Sequence, residues 1–154
     1  MSQSENTKKS ALDILREAWE ADCVIDQANI DDEAARIPKL HSKYLNFLTE
    51  IKFEVFKRDA ALMELRGHRS RYYQGMLNRD ELETFGWDQY QGRSPTKGEL
   101  DKLLESDKII LEAEKRLFTV KAAFEYAEEI MKSLRYRGQD LKTIMEWKKF
   151  LAGN

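Results

Sequence analysis

Cysteine is almost absent from this 154-residue chain. With Cys23 alone, an intramolecular disulfide is excluded and a reducing compartment is indicated. Only two prolines, Pro38 and Pro95, interrupt a sequence in which 35% of residues are charged, a composition suited to long helices. No run of eighteen apolar residues occurs, so no membrane span is expected. Residues 1–9 are polar and lack the apolar centre of a signal peptide, and are read as a disordered lead. Catalytic equipment is missing too. His41 and His68 have no Cys or His at ligand spacing, which argues against a zinc site. There is no phosphate-cradling glycine loop, no Gly-x-Ser-x-Gly and no second cysteine for redox work. Asp31, Asp32 and Glu33 sit where a helix begins and answer its dipole. The expectation is a protein that is not an enzyme, with no catalytic residue, no metal and no cofactor.

What is present is helical periodicity and uneven charge. The length suits a single helical domain over residues 10–154. A first helix begins at Ser10, with Asp13 as capping partner and Leu12, Leu15 and Trp19 on one face. After an acidic turn, a long helix is expected over about residues 31–76, capped by Asp31 and either kinked or restarted at Pro38. Along it Ile37, His41, Tyr44, Leu48, Ile51 and Val55 recur at spacings of four and three, a coiled-coil seam. The same register continues as Arg58, Leu62, Leu65, Arg69, Tyr72 and Met76, so the seam turns basic and aromatic. Residues 77–98 read as a loop carrying Phe85, Trp87 and Tyr90. These aromatics either pin the loop to the helices or add stacking surface.

A second long helix is expected over residues 97–136, opened by the capping box of Thr96 and Glu99 and closed at Gly138. A short C-terminal helix over residues 139–151 follows. No segment reads as a strand, so the fold class is all-α: an elongated antiparallel hairpin of long helices with short terminal helices. Its apolar stripe exceeds what one chain covers, which points to self-association through Ile110, Leu117, Val120, Phe124, Met131, Leu134, Leu141, Ile144 and Trp147.

The net charge is −2, so affinity for nucleic acid has to come from a local patch. Residues 57–79 hold six basic and two acidic side chains, whereas residues 13–36 hold eight acids and two arginines. Within the basic stretch lies Arg66-Gly-His-Arg69-Ser-Arg71-Tyr72-Tyr73-Gln-Gly75. Arginines supply charge for phosphates and tyrosine rings supply faces for bases, which is what single-stranded nucleic acid requires. On a helical wheel Arg58, Arg66, Arg69 and Tyr73 fall within an arc of about 80°. Arg58, Arg66, Arg69, Arg71, Tyr72 and Tyr73 are the candidate residues for binding nucleic acid.

From about residue 22 onward the chain resembles the UvsY family of recombination mediators of T-even-like phages. The resemblance is carried by Val24-Ile25-Asp26, Ser42-Lys-Tyr-Leu-Asn46, Arg69-Ser-Arg-Tyr72-Tyr73-Gln-Gly75, Asp107-Lys108, Arg137-Gly138, Leu141-Lys-Thr-Ile144 and Phe150-Leu-Ala-Gly-Asn154. Residues 77–98 match poorly and residues 1–12 look like an extension. The resemblance implies a non-enzymatic, ring-like homo-oligomer, a hexamer or heptamer, that binds single-stranded DNA in the cytoplasm of the infected bacterial host. It implies help in loading a RecA-like phage recombinase onto DNA coated by the phage single-stranded-DNA-binding protein, in recombination, repair and recombination-dependent replication. In the family, a Lys-Ala-Arg run precedes the paired tyrosines. Arg69 falls on its arginine, Gly67 on its lysine, and Arg66 or Arg71 stands in for the missing cation. Gly67 costs about 1 kcal/mol in a helix, so a bend or frayed end is expected there. The competing reading is a coiled-coil scaffold or chaperone-like adaptor that binds proteins only. A double-stranded-DNA regulator lacks a short recognition helix.

Overall fold

In a computed structural model, which describes residues 9–153, the chain is all-helical. Five helices follow in order: α1 (Ala11–Asp22), α2 (Ile30–Tyr73), α3 (Arg79–Phe85), α4 (Lys97–Glu105) and α5 (Lys108–Leu151). Where the sequence suggests one domain, contacts divide the chain into two compact units. One holds the chain up to Glu54 and from Thr119 onward, the other Val55–Phe118. Within each unit α2 and α5 run antiparallel. Glu33 meets Arg137 in the first, and Arg69 meets Asp107 in the second.

Local rules account for most helix ends. Ser10 and Asp13 form a reciprocal capping box at the start of α1, and Asn78 and Glu81 do the same for α3. That box places a helix inside what the sequence reading leaves as a loop. At the start of α4 the Glu99 carboxylate accepts from both the N–H and the hydroxyl of Thr96. α2 ends at Tyr73, and the chain turns at Gly75, which adopts φ 69°, a left-handed conformation that costs glycine little.

The restart allowed at Pro38, the frayed end at Gly67 and the helix end at Gly138 do not occur, and a break appears where none was expected. α2 continues through Pro38, which gives up the bond from its own nitrogen to the carbonyl four residues back. It also passes Gly67 without a break. The expected helix over residues 97–136 is instead interrupted at Ser106 and Asp107, because Asp107 caps a new helix: its Oδ1 accepts from the N–H groups of Ile109 and Ile110 at 2.8 and 3.1 Å. α5 then runs through Gly138, where the sequence suggests an end. Buried Leu134, Arg137 and Leu141 flank that glycine at helical spacing, and packing on both sides outweighs the ~1 kcal/mol propensity loss.

The first unit has a packed core containing Leu15, Leu40, Tyr44, Ile51, Ala123, Ala127, Ile130 and Leu134. Fully burying a leucine such as Leu15 contributes about 1.5–3 kcal/mol. A polar network closes its end. Asp22, the last residue of α1, accepts from Arg36 at 2.5 Å, Lys43 at 2.6 Å and Tyr44 at 2.9 Å. Burial pushes the Asp22 carboxyl up, yet the bonds from Lys43 and Tyr44 outweigh it and hold the group below the usual carboxylate range. In the second unit Leu100, Ile110 and Leu117 are buried.

Candidate nucleic-acid interface

The basic-aromatic cluster lies wholly in the second unit, and its geometry separates residues that look alike in sequence. Arg69 occupies a seam position of α2, and only 9% of its side chain is exposed. Its Nε donates to Asp107 Oδ2 at 2.7 Å, and Tyr73 Oη donates to the same oxygen at 2.7 Å. The guanidinium lies 4.2 Å from the ring centre of Tyr72, 4.5 Å from Trp87 and 5.1 Å from Tyr73. Such cation–π contacts contribute about 0.5–2 kcal/mol when desolvated. Burial raises the Asp107 carboxyl, but bonds from Tyr73, Arg69 and the Ile110 N–H hold it below the ordinary range. Burial and the bond to Asp107 push the Tyr73 phenol upward, with Arg69 opposing.

Around this ion pair the aromatic rings assemble. Tyr72 meets Tyr73 at 5.3 Å, Trp87 at 5.6 Å and Tyr90 at 5.7 Å, and Tyr73 meets Tyr90 edge-on at 5.2 Å. Phe85 stacks on Trp87 at 4.5 Å and meets His68 at 4.7 Å. Tyr72, Tyr73, Trp87 and Tyr90 all stay half-buried, so each ring keeps some accessible surface. The segment after α3 is thus pinned to α2 and, at the same time, enlarges the aromatic surface. The ring contacts bear out the first reading of its aromatics, as pins.

The remaining arginines sit differently. Arg66 is 56% exposed and pairs with Glu114 of α5, while Arg71 is 44% exposed and pairs with Glu81 of α3 at 2.9 Å. Arg58 is half-buried and lines a groove of about 510 Å³ with Leu62, Leu65, Lys108, Ile109 and Arg116. The structure therefore gathers Arg69, Tyr72 and Tyr73 into one cluster, sets Arg66 and Arg71 at the surface, and leaves Arg58 in a separate groove. Sequence reasoning missed Asp107 as the anchor. Its signal was an aspartate two residues before the apolar run of Ile109 to Leu111, the pattern of a helix N-cap.

The residues expected to drive assembly also divide. Ile110, Leu117, Val120, Leu134 and Leu141 are buried within the single chain, whereas Phe124, Met131 and Ile144 are half-buried. Trp147 is 61% exposed and stacks on Phe150, 70% exposed, at 5.5 Å. Among the described residues no cluster of His, Cys, Asp and Glu is arranged to hold a metal ion, and no helix is long and apolar enough to cross a membrane.

The chain is similar to known proteins in sequence and in fold. Residues 18–154 match a family profile described as "Recombination, repair and ssDNA binding protein UvsY". The recombination protein uvsY of Enterobacteria phage T4 is 29% identical over 142 residues, covering 92% of this chain and 98% of that protein. Crystal structures of the bacteriophage T4 recombination mediator protein UvsY superpose with TM-scores of 0.75 (lattice type I) and 0.77 (lattice type II). Both show 26% identity and cover 89% and 94% of this chain and 98% and 99% of theirs.

Proposed function

The chain belongs to the UvsY family of recombination, repair and single-stranded-DNA-binding proteins, and on that premise we propose that it is a recombination mediator. It binds single-stranded DNA through the second unit and helps a RecA-like phage recombinase displace the single-stranded-DNA-binding protein, in the cytoplasm of the infected host. The observation that carries the reading is that the same unit holds the exposed Arg66 and Arg71 and four half-buried aromatic rings. Exposed ion pairs contribute ~0–1 kcal/mol, so Glu114 and Glu81 yield their arginines readily to phosphate. Tyr72, Tyr73, Trp87 and Tyr90 offer stacking faces. Arg69 acts one step back: it holds the rings in place and keeps its own charge for Asp107.

Several copies on one strand multiply a weak patch through effective concentration. In the ring-like homo-oligomer we propose, the exposed apolar surface of Met145, Trp147, Phe150 and Leu151 is the part of the seam still open for contact between copies.

Titration of labelled oligo-dT at several salt concentrations tests the DNA reading. Arg66→Ala/Arg71→Ala should weaken binding about tenfold. It should also reduce the slope of log K against log salt by about 1.4, at ~0.7 per phosphate contact on a single strand. Absence of wild-type binding at low salt would replace the mediator with a protein-only adaptor. Gly67→Lys tests the same surface by gain. An added Cβ meets nothing within 4 Å at Gly67. The variant should stabilise the helix by about 1 kcal/mol and steepen the salt slope by about 0.7. A tighter fold with an unchanged slope would show that position 67 lies off the DNA path.

A further inference from the structure

We infer that α4 and the segment leading into it form a pocket for one unstacked nucleotide of single-stranded DNA, its base against Tyr90 and its phosphate on Arg93 and Lys102. The inference rests on the single-stranded-DNA reading above and adds a site that shares Tyr90 with the α2 cluster. The concavity measures about 330 Å³ and is lined by Tyr90, Arg93, Pro95, Lys102, Leu103 and Ser106, with Glu99 at its edge. That volume stands at the low end of the ~300–1,000 Å³ of small-molecule pockets, room for one nucleotide and little more.

Its walls supply both halves of a nucleotide's chemistry. Tyr90, Pro95 and Leu103 are flat or apolar, which suits a base face. Arg93 and Lys102 outnumber Glu99, which favours an anion at the rim. Arg93 is 83% exposed and paired only with Glu99, whose other oxygen serves the N-cap of α4. An exposed pair of this kind is readily exchanged for phosphate. The Ser106 hydroxyl is already engaged with the Lys102 carbonyl and shapes the floor.

The Tyr90 ring is set in place from two sides. It packs edge-on against Tyr73 and tilted against Tyr72. It also lies over Gly92 so closely that a Cβ there would overlap the phenol. Glycine at position 92 is what leaves room for this ring position. Because Tyr90 belongs both to the α2 cluster and to the pocket, a strand stacked on Tyr72 or Tyr73 delivers its next base to the pocket. This continuity of aromatic surface favours a nucleotide over an acidic peptide, which would use the rim charges but not the ring.

The test uses the full chain and an oligo-dT carrying one 5-bromodeoxyuridine. Photocrosslinks are mapped by mass spectrometry, with affinity measured in parallel. The expected result is a crosslink at Tyr90 that Gly92→Ala abolishes. Arg93→Ala/Lys102→Ala should bind about tenfold more weakly, with a salt slope reduced by about 1.4. Wild-type binding with crosslinks confined to Tyr72 or Tyr73, and a rim variant unchanged in affinity and slope, would overturn the pocket and leave the mediator reading standing. Wild-type protein that binds no DNA would remove both. Polyglutamate binding that the rim variant loses, with DNA affinity untouched, would assign the pocket to acidic peptides and overturn the inference.

Discussion

Asp107→Ala is expected to destabilise the Val55–Phe118 unit by about 3–5 kcal/mol, the usual consequence of removing one partner of a buried charge pair. Three losses coincide. Arg69 keeps a buried guanidinium without its carboxylate, Tyr73 loses its acceptor at 2.7 Å, and α5 loses the cap on two N–H groups. Urea unfolding followed by tryptophan fluorescence measures the loss, and a change below about 1 kcal/mol would refute the central role given to Asp107. Asp107→Asn, which keeps a neutral cap acceptor, should fall between. The pH dependence has a definite sign. The folded carboxyl sits below its unfolded value, so its stabilisation is complete above that value, about 3.9, and is lost as pH falls through the lower folded one. Wild type should therefore lose stability on acidification below about pH 4 more steeply than Asp107→Asn. Arg69→Ala should unfold the same unit to a similar degree, so its effect on DNA affinity cannot be read apart from folding. Arg66 and Arg71 avoid that confusion because both are surface residues.

In the other unit, Arg137→Leu should cost about 3–5 kcal/mol, whereas Glu33→Leu/Arg137→Leu should recover most of the loss. Arg137 is 4% exposed and donates to Glu33 at 2.9 Å and to the carbonyls of Cys23 and Val24 at 3.1 and 3.0 Å. Removing it deprives the Glu33 carboxylate, 6% exposed, of its buried counter-charge and leaves it a 3.5 Å contact to Arg36 and a bond from the Asp26 backbone. Removing both charges leaves no buried charge unpaired, and the Cys23 and Val24 carbonyls that lose a donor belong to exposed residues. It also eliminates the Arg137 Nε, which has no acceptor among the described residues. Chemical denaturation of the two single variants and the double gives the coupling energy directly. Additive losses would mean that the pair is not the unit that holds this end of α2 and α5 together.

The helical class, the α1 cap and the Thr96–Glu99 start were legible because each depends on residues three or four apart. The Asn78–Glu81 box was equally local and was overlooked among glycines and aromatics. Gly138 could not be read that way. Whether a glycine ends a helix depends on what packs beside it, and Ile37, the atom nearest an added Cβ, lies about a hundred residues earlier in the chain. Arg69 was half legible: its seam position could be read, but not its burial, because its partner Asp107 lies at the start of another helix. Composition marked out the basic and aromatic region of α2. It could not say which arginines stay at the surface and which are buried in the fold, because that division depends on partners elsewhere in the chain.

The two ion pairs also imply an order of assembly. Arg69 and Asp107 are separated by 38 residues and lie within one uninterrupted stretch, whereas Glu33 and Arg137 are separated by 104. On loop-closure entropy alone the longer closure costs about 0.9 kcal/mol more. Once the shorter loop has closed, most of that extra span is already folded away. The stretch carrying the aromatic rings is thus expected to act as the nucleus during folding, with the two ends of the chain brought together afterwards.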